Sequence, residues 1–385
     1  MDEKYFQTLQ HDLKRCGQGM PQLILDQAAF LHNLQIIKSL LKDQIHPRLV
    51  VKSLANLSLL KIVSTTLKTK RFMVFHFPQL HSVLEEFPEA NILLGKPMPI
   101  AAVKQFYEQY PQFKAANIQW LIDTPQRLQQ YYDLARQQQI KLKLSIEIDV
   151  GLHRGGINTQ EDFLLVLKML VQHPECLRFS GLMGYDAHVA KVPKIIKKQK
   201  EAFAESQDIY KFYQELILKH YPELWHEHLC FNGGGSPTLP LHAHKSVCND
   251  VAFGSVLLKP SDFDLEHLGD FKPALWLATP VLKMLNQLQI PALELLSQLP
   301  IKQQAIFIYG GYWLADYVYP IGLKPHPLYG RSSNQEMLTV PNQTKINVDD
   351  YVIARPQQSE VVLTQFAELY FYEQHQFMGF PNLRE

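Results

Sequence analysis

Residues 141–157 read KLKLSIEIDVGLHRGGI, and the first nine of them decide the fold. Leu142, Leu144, Ile146 and Ile148 share one face of an extended strand, while Lys143, Ser145, Glu147 and Asp149 share the other. One face is apolar throughout, and the other turns acidic toward its end. A strand of that kind suits a barrel, with helices against its outer face and a reactive mouth at its carboxyl end.

Working outward, the same unit recurs: a short apolar run, a turn, then a longer stretch at helical spacing. The candidate strands are 48–52 (RLVVK), 71–76 (RFMVFH), 91–95 (NILLG), 118–123 (IQWLID), 141–149, 178–185 (RFSGLMGY), 228–233 (HLCFNG) and 250–256 (DVAFGSV). Between two of them, Thr124 is a natural N-cap and Pro125 a natural first residue for a helix through Gln139, with Leu128, Tyr131, Tyr132 and Ala135 at helix spacing. Strands alternating with helices imply parallel pairing, because each return to the same edge needs a crossover. Eight of them close a (β/α)₈ TIM barrel, an α/β fold.

Beyond residue 258 the pattern changes. Residues 347–356 (NVDDYVIARP) and 361–380 (VVLTQFAELYFYEQHQFMGF) alternate and are rich in β-branched and aromatic residues, so they read as antiparallel strands. The expected organisation is a barrel over 22–258 and a β-rich C-terminal domain over 259–385, joined by residues 1–21. A chain of 385 residues is long enough for two cores.

Composition narrows the function by exclusion. The 38 basic and 37 acidic side chains leave a formal net charge of +1, which gives no pull toward nucleic acid or anionic membrane. The run Lys194, Lys197, Lys198, Lys200 reads as a solvated helix face. Cys16, Cys176, Cys230 and Cys248 have neither disulfide-framework nor zinc-site spacing. The opening MDEKYFQTLQ lacks a signal-peptide core, so a cytoplasmic protein is expected.

The last residues of the candidate strands are Lys52, His76, Gly95, Asp123, Glu147 with Asp149, Tyr185, and Asn232 with Gly233, a polar set at one end of apolar strands. Lys52 follows Leu49-Val50-Val51, where partial desolvation favours the neutral amine that a Schiff base needs; taken alone, it reads more readily as a lysine that snorkels to the surface. Residues 231–238 (FNGGGSPT) set three glycines after a strand, so that the amides of Gly233 and Gly234 can converge on an anion, with Ser236 and Thr238 adding hydroxyls. Gly254 and Ser255 can complete such a cradle at the eighth strand. Arg154 can pair with the nearby acids or with an anionic ligand oxygen. Tyr185 and His188 can stack on a planar ligand, or Tyr185 can be an ordinary core tyrosine.

At these residues the sequence resembles the fold-type III pyridoxal-phosphate enzymes, in particular the D-threonine aldolase and D-serine dehydratase group, related to alanine racemase. Met20-Pro21 through Asp26, with Asn33 beyond, is similar to the family's opening segment, and Arg48–Lys52 to the strand bearing the Schiff-base lysine. Residues 147–157 resemble the E-x-D-x-G…R-x-G stretch, which implies that Arg154 approaches the cofactor's phenolic oxygen. Residues 181–188 resemble G-x-x-x-Y-x-x-H, which puts Tyr185 beside the cofactor. Residues 232–238 with Gly254 and Ser255 are similar to the phosphate-binding pieces.

The sequence also departs from that pattern. Ser53-Leu54 follows the lysine where the family has Thr-His. After Arg355-Pro356, Gln358 and Glu360 stand where the aldolases and dehydratases carry metal ligands, and glutamine is a poor substitute for imidazole. The resemblance therefore brings pyridoxal 5'-phosphate without a secure divalent metal. Ala252 stands where alanine racemase has an arginine. Tyr312, in 311–316 (GYWLAD), resembles the racemase tyrosine that enters the partner subunit's site.

The resemblance implies a homodimeric lyase acting on a small D-amino acid, by β-elimination or retro-aldol cleavage of a β-hydroxy substrate. Lys52 would be the acid–base, and Tyr312 or Glu360 a further proton carrier. The alternatives are a racemase using Lys52 and Tyr312, a non-catalytic carrier of the cofactor, and a metal-dependent barrel hydrolase using His76, His153 and His188.

Overall fold

The computed structural model describes residues 3–41, 45–192, 195, 197–285, 304–327 and 329–384. It separates into two compact units, one built on residues 34–256 and the other on the first 33 residues with 257–382.

The first unit is a closed parallel barrel of strands β2 (His46–Val50), β3 (Arg71–Val74), β4 (Asn91–Leu94), β5 (Asn117–Ile122), β6 (Leu142–Glu147), β7 (Leu177–Gly184), β8 (Cys230–Gly233) and β9 (Asp250–Phe253), in that order. β1 (Gln22–Asp26) belongs to the other unit. All eight expected strands are present, but most end earlier than their apolar runs do. Residues 51–54 form a 3₁₀ turn, so Lys52 stands one turn beyond its strand rather than on it. A Cβ at Gly254 would lie 2.8 Å from Ser53 Cβ and 3.0 Å from the Val50 carbonyl, so only glycine lets this turn close against the end of β9. The helix Pro125–Gln138 is capped as expected, with Thr124 accepting from the Arg127 amide. Its buried face is Leu128, Tyr131, Leu134 and Ala135, with Leu134 in place of Tyr132.

The barrel interior holds a polar network rather than only layers of branched apolar side chains. Arg48, sealed from solvent, donates to both carboxylate oxygens of Asp250 (2.7 and 2.9 Å) and to Asn91 Oδ1 (3.0 Å). Asn232 also donates to Asp250 (2.7 Å), Gln119 to Asn91 (2.8 Å), and Ser145 to Gln119 (3.0 Å). Burial opposes the charge on Asp250, but Arg48, Arg71 and Asn232 hold its carboxyl below the usual range. Each buried polar group here depends on its neighbour.

Among the described residues, the second unit is a nine-stranded sheet. Its strands after β1 are β10 (Leu275–Leu285), β11 (Gln304–Ile308), β12 (Ala315–Tyr319), β13 (Lys324–Pro325), β14 (Met337–Val340), β15 (Tyr351–Pro356), β16 (Glu368–Glu373) and β17 (Gln376–Pro381). The main path runs β13-β14-β11-β10-β1-β16-β17, and β15 pairs with β10 and β12. On the helix Glu3–Cys16, Phe6, Leu9 and Leu13 fall on one stripe and pack with Ile24, Trp276, Ala278, Tyr351 and Ile353. The stretch expected to be strand from 361 instead begins in a helix, Ser359–Leu363. The β16–β17 hairpin then turns on Gln374 and His375, both at positive φ as a two-residue type I′ turn requires.

Within the lysine run, Lys194 lies outside the described residues. Lys197 pairs with Glu205, and Lys198 caps the helix Gln199–His220, so these two serve local structure. Among the described residues no helix is long and apolar enough to cross a membrane.

Candidate active site

The site is built on the carboxyl ends of the barrel strands. Lys52 is half-buried, and its Nζ stands 4.7 Å from the centre of the Phe75 ring, on the turn after β3. The Lys52 turn abuts Gly254, whose amide donates to Ser236 Oγ at 3.1 Å; the Val256 amide donates to the same oxygen at 3.1 Å. The Lys52 turn, the end of β9 and the glycine loop after β8 thus form one continuous set of contacts.

The glycine loop is concave because side chains are missing from it. A Cβ at Gly233 would lie 2.6 Å from Cys248 Sγ, one at Gly234 3.0 Å from the His242 ring, and one at Gly235 2.9 Å from the Tyr185 ring. Gly234 also has φ +77, which favours glycine. Two of the expected donors, the Gly254 amide and the Thr238 hydroxyl, prove to be engaged within the protein. The Gly254 amide ties down Ser236, and the Gly235 amide donates to Thr238 Oγ1 (3.1 Å). Thr238 is itself a tie, donating to Asp186 Oδ1 at 2.7 Å, and His242 Nε2 donates to Asp186 Oδ2 at 2.8 Å. Among the described residues, the amides of Gly234 and Ser236 and the Ser236 hydroxyl proton make no hydrogen bond within the protein, which leaves them to the cup. Neither Asp186 nor His242 was expected to matter; the one available signal was His242 lying four residues after Thr238, one helical turn away.

Across the mouth, β6 delivers Glu147 and the loop beyond it delivers Arg154. The loop closes on itself, with the Asp149 amide donating to the Ile157 carbonyl and the Ile157 amide to Glu147 (3.0 and 2.8 Å). Asp149 accepts from the Gly151 and His153 amides and from His153 Nδ1. Burial opposes its charge, yet these hydrogen bonds hold it below the usual carboxylate range. Glu147 behaves oppositely: burial, and then the charge of Asp123, push it up to about 7 against the pull of Arg154. The Arg154 guanidinium lies 4.7 Å from the centre of the Tyr185 ring, and that ring covers Gly235. His188 Nδ1 is buried without a hydrogen-bond partner among the described residues, and burial lowers the affinity of this ring for a second proton.

The other expected residues lie in the sheet unit. Tyr312 is 64% exposed and has φ +58, in a run of left-handed residues with Gly310 and Gly311. The run wraps buried Glu336, which accepts from the Tyr312 amide (2.6 Å) and the Tyr317 hydroxyl (2.9 Å) and pairs with Arg331. Arg331 in turn lies 5.6 Å from the centre of the Tyr312 ring. Gln358 directs its amide nitrogen to Asp262 Oδ2 (3.0 Å), and Glu360 sits in the first turn of the helix Ser359–Leu363. This donor set does not fit a metal. Among the described residues no three His, Cys, Asp or Glu side chains are grouped to hold one, and this includes the trio His76, His153 and His188.

The class that this architecture defines is fold-type III of the pyridoxal-phosphate enzymes, as the sequence resemblance implied. Residues 25–258 match the family model of the alanine racemase N-terminal domain, and the chain belongs to that family. Among solved structures it is similar to an alanine racemase from Bacillus anthracis with bound L-Ala-P, at 14% identity over 94% of this chain and 97% of that one, with a TM-score of 0.71. It is similar to a D-threonine aldolase from Filomicrobium marinum, at 15% identity over 94% and 96%, with a TM-score of 0.72. A mutant D-threo-3-hydroxyaspartate dehydratase superposes over the whole of both chains at 12% identity, with a TM-score of 0.73. At these identities the likeness is one of fold. A comparison with curated proteins finds no match.

Proposed function

We propose that this chain binds pyridoxal 5'-phosphate and is a lyase of small D-β-hydroxy amino acids, working by β-elimination or retro-aldol cleavage. The observation that carries the proposal is the unbroken contact from the Lys52 turn through Gly254 to Ser236 and its glycine loop. Lys52 is the point of covalent attachment, the amides of Gly234 and Ser236 hold the phosphate, and Tyr185 with Arg154 flanks the ring. When bound, the cofactor supplies an electron sink for negative charge at the substrate's Cα.

The chain's own residues supply the rest. Lys52 Nζ, standing against the Phe75 ring, moves the proton at Cα. Glu147, with its pKa near neutrality, can hold or release a proton beside Arg154. Glu360 is the carboxylate we assign to the substrate's β-hydroxyl. The family enzymes named above act on small amino acids, and we place this one in the cytoplasm as a homodimer. A bare carrier of the cofactor has no use for the sheet unit.

One observation favours a second reading, amino-acid racemisation. Tyr312 is exposed on a left-handed backbone anchored by Glu336, a costly conformation for a residue with no task. In a homodimer, Tyr312 of one copy would serve the site of the other, opposite Lys52.

The test is a spectral titration of cofactor-loaded protein with a panel of D- and L-amino acids, with product analysis. Release of a keto acid or an aldehyde from a D-β-hydroxy substrate supports the lyase. Deuterium exchange at Cα with inversion and no cleavage supports the racemase. A Lys52→Ala variant that keeps a borohydride-reducible cofactor as the wild type does would sink both.

A further inference from the structure

At the opposite end of the barrel, the amino-terminal ends of β6 and β7 carry a second concentration of charge. A cleft of about 510 Å³ there is lined by Lys114, Lys141, Lys143 and Arg178 and by no carboxylate. Ala115, Ala116, Ile118 and Ile140 add apolar surface to the same lining.

Local structure explains one of these cations and not the others. Lys141 follows the left-handed cap Gln139 of the helix Pro125–Gln138, where a cation complements the helix dipole. Lys143 and Arg178 are strand residues, and the register of β6 on β7 places them side by side. Like charges directly opposite on neighbouring strands repel. Neither they nor Lys114 and Lys141 enter an ion pair among the described residues, and the one hydrogen bond of Lys143 is to Asn117 Oδ1 (2.8 Å). Burial, and then the charge of Arg178, makes Lys143 a weaker base than usual. Lys143 is half-buried while Lys114, Lys141 and Arg178 reach solvent, so the repulsion between Lys143 and Arg178 favours an anion drawn in from outside the chain.

We propose that this cleft is a binding site for a small anion carrying two or more phosphate groups. Four convergent cations exceed what a single carboxylate would neutralise. Arg178 offers the planar fork that chelates phosphate oxygens, and the lysines act as point charges around it. The volume lies in the range of small-ligand sites. A smaller hollow of about 390 Å³ next to it shares Lys141 and Arg178 and adds His226 with one acid, Glu223, which bounds the cationic region on that side.

The test uses the full chain loaded with pyridoxal phosphate, so that the glycine cup is filled, and calorimetric titration with inorganic tripolyphosphate at constant ionic strength. Wild type is expected to bind one equivalent saturably. The Lys143→Gln/Arg178→Gln double variant should bind at least tenfold more weakly, and Lys211→Gln, on an exposed helix, as tightly as wild type. Without the probe the double variant should melt no lower than wild type, since a repulsion has been removed; with the probe only wild type should gain in Tm. Adenosine triphosphate in a parallel titration separates the two sources of the chemistry. Equal affinity assigns recognition to the phosphate chain and tighter binding to a nucleotide, and either keeps the site. Absence of saturable binding to wild type, or equal affinity in the double variant, overturns the proposal.

Discussion

His242 Nε2 lies 2.8 Å from Asp186 Oδ2, and both side chains are almost wholly sealed from solvent. The other oxygen of Asp186 takes the Thr238 hydroxyl, and Thr238 accepts the Gly235 amide, so the shape of the glycine loop is set through two residues by a histidine outside it. Removing His242 leaves a buried carboxylate short of a partner, which costs on the order of 1–3 kcal/mol. His242→Leu is therefore expected to loosen cofactor binding by tenfold or more, and His242→Gln, which keeps a donor, by less. Equilibrium dialysis against free pyridoxal phosphate measures both. Equal retention in wild type and His242→Leu would show that the chain of hydrogen bonds does not shape the cup.

Glu147 gives a pH signature with a definite sign. Folded, its carboxyl keeps a proton up to about 7, whereas the ordinary value is 4.5. Between those values the native state binds more protons than the unfolded one, so stability from this group is present at low pH and is lost as pH rises toward 7. Above 7 the folded chain carries a buried charge facing Asp123. Glu147→Gln removes the titration, and the variant should be more stable than wild type at about pH 8 by on the order of 1–2 kcal/mol, with little difference at about pH 5. Urea unfolding at the two pH values checks it. A wild-type excess at pH 8 would mean that Arg154 compensates the charge fully.

The sequence made the barrel legible because each strand is a local event: an apolar run of four to eight residues with helical spacing after it. Where a run ends is less local. Lys52 continues an apolar run, yet the strand stops at Val50 because Gly254, some two hundred residues away, lets the chain turn against it. The glycine loop could be read as a candidate anion cradle, but which of its amides are engaged could not, since that depends on Ser236, Thr238 and Asp186 finding one another in space. Asp186 and His242 lack any spacing that marks them as partners, being 56 residues apart. At Gln358 the expectation rested on residue type alone, because an amide is a weak ligand in any fold.

Arg48 and Asp250, 202 residues apart, test whether the polar barrel interior is a source of stability or a requirement of specificity. Taking both charges out of water is costly, and the return from their bidentate pairing does little more than offset it, so a well-packed apolar pair can be as stable. Removing one partner is a different matter. Asp250→Asn strands a guanidinium that is fully buried, and because the amide keeps only one oxygen, either Arg71 or Asn232 also loses its acceptor. The expected cost is about 3–5 kcal/mol, a large share of the stability of a typical domain. Arg48→Met combined with Asp250→Leu should cost clearly less than Asp250→Asn alone, although it removes more hydrogen bonds. Denaturant titration of the three proteins measures the order. If the double variant proves the least stable, the network from Arg48 through Asn91 and Gln119 to Ser145 is worth more than its pairs suggest, and the interior of this barrel is held together by its polar groups.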